Sequence, residues 1–270
     1  MDVRWLQKEV DSDTVPAPAS GPLDLGPSGG PTAPTSGHPQ PPLGTDSGPS
    51  GARGRQEDAG RLVRVAHMLQ GCRTLGPGAR SVVWVRGCAR RCPGCIASPI
   101  LDDGPSLVLR PDELAARLLA TADEGVTFSG GEPFEQAQAL AAVGHVLRAS
   151  GRSVMVYSGF TLDELRSSSD AGVQALLDVT DVLVDGPFER ERQADLLWRG
   201  SSNQRVHLLT ARYAHIASSL DAAGAGVELR VDSEAGLFWA GVPERDFVGQ
   251  LRRAAEPFGI ILTGREGVWA

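Results

Sequence analysis

Lysine is almost missing from this chain of 270 residues: Lys8 is the only one, and the other 25 of its 26 basic residues are arginine. That scarcity reflects the base composition of the gene more than function. Aromatics are sparse as well, at 5% of residues, and none follows Trp5 within the first 60 positions. The same 60 positions hold ten of the 19 prolines and ten of the 33 glycines. Such a segment cannot bury enough apolar surface to offset its ordering entropy, so residues 1–60 are expected to be disordered. A solvated tail or a misassigned start codon explains it before a partner-recruiting role does, and only Met1–Val10 could form a short helix. No apolar run approaches the roughly 18 residues of a membrane span, and the N-terminus lacks the apolar core of a signal peptide. A net charge of −7 and a pI near 5.3 argue against nonspecific binding to nucleic acid or to membrane surfaces. Four cysteines, three of them clustered, exclude a disulfide framework at this length. A metal or redox site in a reducing cytoplasm is the expectation instead.

What is present centres on Cys88-Ala-Arg-Arg-Cys92-Pro-Gly-Cys95, three thiols in eight residues with C-x3-C-x2-C spacing. The preceding Ser81–Gly87 reads as a buried strand, which puts the thiols on a strand-end loop, where α/β proteins keep their chemistry. A structural zinc needs four ligands, and the remaining thiol, Cys72, lies in a separate turn 16 residues upstream. Three cysteines suit a four-iron cluster with one iron left open. On spacing alone, zinc and a structural or redox thiol group stay as alternatives. Arg86, Arg90 and Arg91 flank the loop, either as solvated charges or as groups that offset the thiolates and receive an electron donor.

The remainder alternates strand, loop and helix. Strands are expected at Arg61–Leu69, Ser81–Arg86, from Gly125, at Ser153–Tyr157, at Asp181–Asp185 and at Arg205–Leu209. Helices are expected from Pro111, over Phe134–Ala149, and after Thr161, where Glu164 completes a capping box. This repetition implies a parallel sheet with right-handed crossovers. Beyond residue 210 the pattern changes to a helix over Tyr213–Ala222, a hairpin of Gly226–Val231 with Leu237–Ala240, a helix over Glu244–Glu256 and an edge strand at Gly259–Leu262. Trp84, Trp198 and Trp239 are expected in the core, and the five histidines carry no metal spacing.

Three further segments follow the cysteine loop in order. Ser129-Gly130-Gly131-Glu132-Pro133 ends a strand, and its glycines would let a ligand approach free backbone N–H and C=O groups. Tyr157-Ser158-Gly159-Phe160-Thr161 and Asp185-Gly186-Pro187-Phe188 end the next two strands, and Arg199-Gly-Ser-Ser-Asn-Gln-Arg205 comes after them. Together these motifs resemble the radical S-adenosylmethionine (SAM) superfamily. Over about residues 65–208 they resemble its anaerobic ribonucleotide reductase activating proteins, which group with the pyruvate formate-lyase activating enzymes.

The resemblance implies an α/β fold, a partial (βα) barrel of the radical SAM type over residues 61–210; composition and pattern, not the resemblance, add the disordered segment 1–60 and a small α+β appendage over 211–270. The resemblance also implies a [4Fe-4S] cluster on Cys88, Cys92 and Cys95, with SAM held by Gly130, Gly131 and Glu132 at its methionyl amino group. Ser158 and Gly159 would lie by its ribose, and Asp185 would face the substrate side or cap a helix. The implied reaction is reductive cleavage of SAM to a 5′-deoxyadenosyl radical, which abstracts a glycine hydrogen from a glycyl radical enzyme. A flavodoxin- or ferredoxin-type protein would supply the electron. Modification of a peptide or small molecule, or a noncatalytic iron–sulfur sensor or carrier, are the competing functions. Two features depart from the family pattern: Gly94 stands where an aromatic often precedes the last cysteine, and the chain carries both extensions.

Overall fold

The structure, a computed structural model, describes residues 62–262 apart from 222–223, 225 and 233–235. The expectations for residues 1–60, disorder and a short helix at Met1–Val10, lie outside the described residues.

A seven-stranded sheet runs in the order β3-β1-β2-β4-β5-β6-β9. Its centre is β2 (Arg80–Val85), β4 (Gly125–Gly130), β5 (Ser153–Tyr157) and β6 (Val182–Asp185), consecutive in space and mutually parallel. The strands that flank this centre run the other way. β1 (Val63–Cys72) and β9 (Arg205–Leu208) lie antiparallel to β2 and β6, and the short β3 (Leu107–Leu109) lies antiparallel to β1. The expected parallel sheet is therefore its four central strands only.

The sequences of these strands are apolar on both faces, as sheets covered on both sides require. Val83, Val85, Val126, Phe128, Val154, Val156 and Leu183 pack into one cluster with the helices. Those helices are α1 (Pro111–Leu119), α2 (Ala137–Ala149), α3 (Leu162–Arg166) and α4 (Ala171–Val179). All of them bury against that one face. Consecutive parallel strands with every crossover helix on one side make a segment of a (βα) barrel rather than a doubly wound sheet.

The alternate residues, Val82, Trp84, Met155, Val182 and Val184, turn to the opposite, concave face. There they meet Trp198 and a hairpin of β10 (Val227–Asp232) and β11 (Gly236–Gly241). Trp84, Trp198 and Trp239 are buried.

Local chemistry sets the element ends. Pro111 occupies the first turn of α1, and Glu113 accepts from the Arg110 N–H at 3.0 Å. Thr161 and Glu164 form the expected reciprocal cap of α3. Asp170 caps α4, a helix that sequence reading had not separated, by accepting from the Gly172 N–H at 2.7 Å. At the N-terminal ends of the strands, Arg80 is fully buried. Its guanidinium donates to Thr127 Oγ1, Ser153 Oγ and Val126 O at 2.8, 2.8 and 2.6 Å, tying β2 to β4 and β5.

Three expectations past residue 205 need correction. The Tyr213–Ala222 helix is instead a 3-10 run over Ala211–Ser219, kinked at Tyr213. The Glu244–Glu256 helix narrows to α5 (Phe247–Ala255), because Asp246 takes a left-handed φ of 62° at its start. Gly259–Leu262 is not a strand: Gly259 turns left-handed at φ 68°, and Ile261 is left 70% exposed. A fourth segment was missed, the small hairpin of β7 (Gln193–Leu196) with β8 (Arg199–Ser201). Among the described residues no helix is long and apolar enough to cross a membrane.

Candidate functional site

The four parallel strands end on one side of the sheet, so the segments that follow them share a cavity of about 710 Å3. Cys88, Cys92 and Cys95 line it, together with Gly130, Gly131, Glu132, Ser158 and Gly159. All three thiols are free and half-buried, and burial pushes those of Cys88 and Cys95 above the ordinary cysteine range. The loop closes locally, with the Cys95 N–H donating to Cys92 O at 3.1 Å and the Ser98 N–H to Cys95 O at 3.2 Å. Cys72 is fully buried in β1, with its sulfur 3.5 Å from the Thr74 hydroxyl, and does not line the cavity.

The Gly-Gly turn has a structural cause besides any ligand. The Gly131 and Glu132 N–H groups donate to Val85 O and Gly87 O, each at 2.8 Å, lashing the end of β4 to the start of the cysteine loop. Gly130 has φ 101°, and a Cβ on it would sit 2.6 Å from the Val85 backbone; a Cβ on Gly131 would collide with Gly87 O. Glu132 then reaches across the strand ends. Its Oε1 accepts from the Phe134 N–H and the Ser158 hydroxyl, both at 3.0 Å, and its Oε2 accepts from the Gly159 N–H at 2.8 Å. Burial pushes this carboxyl up to about 7 despite those three bonds. Among the described residues no basic side chain forms an ion pair with it. Ser158 also accepts from the Phe160 N–H at 3.0 Å.

Asp185 is placed elsewhere. It is absent from the lining of this cavity and borders a neighbouring groove, where Oδ2 accepts from the Leu162 N–H at 2.6 Å and Oδ1 lies 3.1 Å from His207 Nε2. Burial alone would raise the carboxyl, but the His207 and backbone bonds outweigh it and hold it below its usual range. Asp185 thus accepts the first free N–H of α3, whose N-cap is Thr161, and does not line the cysteine cavity.

The arginines separate too. Arg86 is buried and donates to Asp102 O at 3.3 Å, so it is not a solvated charge. Arg91 pairs with Asp102 on the outside. Arg90 lines the cavity with its guanidinium 4.5 Å from the centre of the Phe160 ring. Gly94 has φ 76°, and the Arg190 guanidinium occupies the space where its Cβ would point. The edge that an aromatic would supply beside the last cysteine is thus covered by an arginine from the loop after β6. Sequence reading missed Arg190 and the lining residues Val242, Pro243 and Arg245, since only the fold brings them to the thiols; Trp198, expected in the core, is buried and also lines the cavity.

The donor set fits a [4Fe-4S] cluster and SAM. Three free thiols line the same cavity as a buried carboxyl group that has no ion-pair partner among the described residues, which matches soft iron together with an ammonium. Among the described residues no three His, Cys, Asp or Glu groups converge as on a single ion. A cluster does not ask for that, because each thiolate binds a different iron.

Comparison with known proteins agrees. Residues 74–207 match the family described as a 4Fe-4S single cluster domain. The anaerobic ribonucleoside-triphosphate reductase-activating protein of Salmonella typhimurium is 36% identical over 144 residues, covering 50% of this chain and 91% of that protein. Its counterpart from Vibrio cholerae is 38% identical over 146 residues, covering 50% and 91%, and that of enterobacteria phage T4 is 27% identical over 138 residues, covering 48% and 85%. Among solved structures, QueE from Escherichia coli aligns with a TM-score of 0.31 at 18% identity, over 37% of this chain and 53% of that one. With relatives above 30% identity matched over nine-tenths of their length, the chain belongs to the anaerobic ribonucleoside-triphosphate reductase-activating protein family, within the radical SAM enzymes.

Proposed function

We propose that this protein reductively cleaves SAM and uses the product radical to remove a glycine hydrogen from an anaerobic ribonucleotide reductase, leaving a stored glycyl radical. The observation that carries this reading is the one cavity lined by Cys88, Cys92 and Cys95 together with Glu132 and Gly159. Cys88, Cys92 and Cys95 would hold the cluster, each through its thiolate. When bound there, a [4Fe-4S] cluster would supply the one electron that cleaves the sulfonium of SAM to methionine and the 5′-deoxyadenosyl radical.

The protein's own part is positioning and exclusion. Glu132, ionised, accepts the methionyl ammonium, while the Phe134, Ser158 and Gly159 donors keep the carboxylate aimed along the strand ends. Gly130 and Gly131 bring the backbone beside it, and Ser158 and Gly159 shape the wall toward the ribose. Tyr157, Trp198 and Leu75 supply apolar lining that keeps water and stray hydrogen donors from the radical. A flavodoxin- or ferredoxin-type protein in a reducing cytoplasm supplies the electron, which suits a chain whose four cysteines are all free.

Anaerobic reconstitution tests this directly. The dithionite-reduced protein should form 5′-deoxyadenosine from SAM, and with the reductase of the same organism it should give a glycyl radical signal. No deoxyadenosine would end the enzyme reading; deoxyadenosine without the radical would remove the partner. Ala at Cys88, Cys92 or Cys95 should abolish the visible absorbance of the cluster, whereas Cys72→Ala should preserve it.

A further inference from the structure

Val242, Pro243 and Arg245 line the cavity although the match to the 4Fe-4S domain ends at residue 207. They reach it because the β10–β11 hairpin docks on the concave side. There the Thr74 hydroxyl donates to Ala240 O at 3.0 Å and the Arg73 N–H to Glu228 Oε1 at 2.6 Å. Val242 packs on the apolar cluster that includes Ala97, Leu101 and Cys95. From the same segment, Arg245 Nη2 donates to Arg190 O at 3.2 Å, joining the hairpin to the turn whose guanidinium covers Gly94.

Both arginines are exposed at the rim, and among the described residues neither forms an ion pair. The acidic groups on the lining are Glu132, which is buried, and Glu191, which is exposed beside Arg190. Arg90, near Glu132 and Gly159, is the cationic group at the methionyl end. The rim pair therefore presents positive charge on the cavity lining, with the Arg190 guanidinium against Gly94 of the cysteine loop and Arg245 bonded to Arg190 O.

We propose that the Val242–Arg245 segment is a specificity-determining rim, and that Arg245 and Arg190 together bind a carboxylate side chain of the partner polypeptide beside the reacting glycine. The inference rests on the glycyl radical reading above. Two guanidinium groups on adjacent loops suit one carboxylate, a charge-assisted contact that fixes the entering chain as well as attracting it.

The test uses the reconstituted holoenzyme and the anaerobic reductase of the same organism. Arg245→Glu should lower the number of glycyl radicals formed per deoxyadenosine by about tenfold at limiting reductase, the effect of losing about 1.4 kcal/mol of contact. Saturating reductase should recover it, and Arg245→Lys should restore most of it. A charge reversal of one acidic residue near the reductase's glycine should rescue Arg245→Glu, which a merely structural role for Arg245 would not allow. Unchanged coupling in Arg245→Glu would overturn the inference while leaving the function intact. A weaker Kd for SAM in that variant, with the reductase requirement unaltered, would overturn it as well, by assigning the arginines to the methionyl carboxylate. Parent enzyme that cleaves SAM but never yields the glycyl radical would instead refute the reading beneath it.

Discussion

Glu132 combines two properties that oppose each other: it is buried without an ion-pair partner among the described residues, and it accepts three hydrogen bonds. Its carboxyl ionises near pH 7 in the folded protein against a reference of 4.5. The folded state thus holds a proton that the unfolded chain has already released between those values, so stability falls as pH rises across that window. The difference amounts to about 3 kcal/mol, lost in full above pH 7. Glu132→Gln should flatten this slope, measured as the urea midpoint of the metal-free protein at several pH values. At low pH it should cost about 1–2 kcal/mol, because one amide N–H would face the Gly159 N–H. An unchanged slope in Glu132→Gln would mean the charge is not desolvated there. In the loaded protein the same variant should weaken SAM binding by about tenfold or more through loss of the ammonium contact.

At the scale of elements, the site consists of turns at the ends of parallel strands, and those turns depend on one another. Gly131 shows how. A Cβ there strikes Gly87 O, in the turn that launches the cysteine loop, so Gly131→Ala should impair iron retention although it touches no thiol. A loss of about 2 kcal/mol is expected for displacing two backbone segments, with cluster absorbance falling in parallel. Gly151 is the control: its φ of 80° strains any Cβ, but nothing lies within 4 Å, so Gly151→Ala should cost only about 1 kcal/mol and keep the iron. Full iron content in Gly131→Ala would separate the two turns.

These turns were legible in the sequence because cysteine spacing, paired glycines and strand patterns are local signals. The apolar runs Ser81–Val85 and Ser153–Tyr157 announced central strands, and Thr161 with Glu164 announced a cap. The antiparallel edges were not legible, since strand direction depends on what a segment meets. Nor was Arg190, whose place over Gly94 is set by the loop after β6. Asp185 was found but given two roles, because a carboxylate at a strand end looks alike whether it caps a helix or faces a substrate.

At the scale of the whole molecule, the β10–β11 hairpin lies beyond residues 74–207, the segment that the 4Fe-4S family model matches. Here Phe238 of β11 packs 4.7 Å from the His67 ring and meets Trp84 edge-on at 6.0 Å, and burial lowers the His67 pKa. Trp84, fully buried in β2, thus has part of its cover from the far end of the chain. An appendage packed this way shares the core of the main sheet and should melt with it in one cooperative transition. Phe238→Ala should lower the stability of the entire described fold by about 2 kcal/mol, less than a fully buried phenylalanine because the ring is only half-buried. Chemical denaturation followed by circular dichroism and by tryptophan fluorescence should give coincident curves, shifted together in the variant with the same m value. Two separated transitions, with only the weaker one displaced by Phe238→Ala, would show that the hairpin is an independent unit resting on a self-sufficient sheet. In that case its arginine-bearing rim could not be held in register with the cysteine loop.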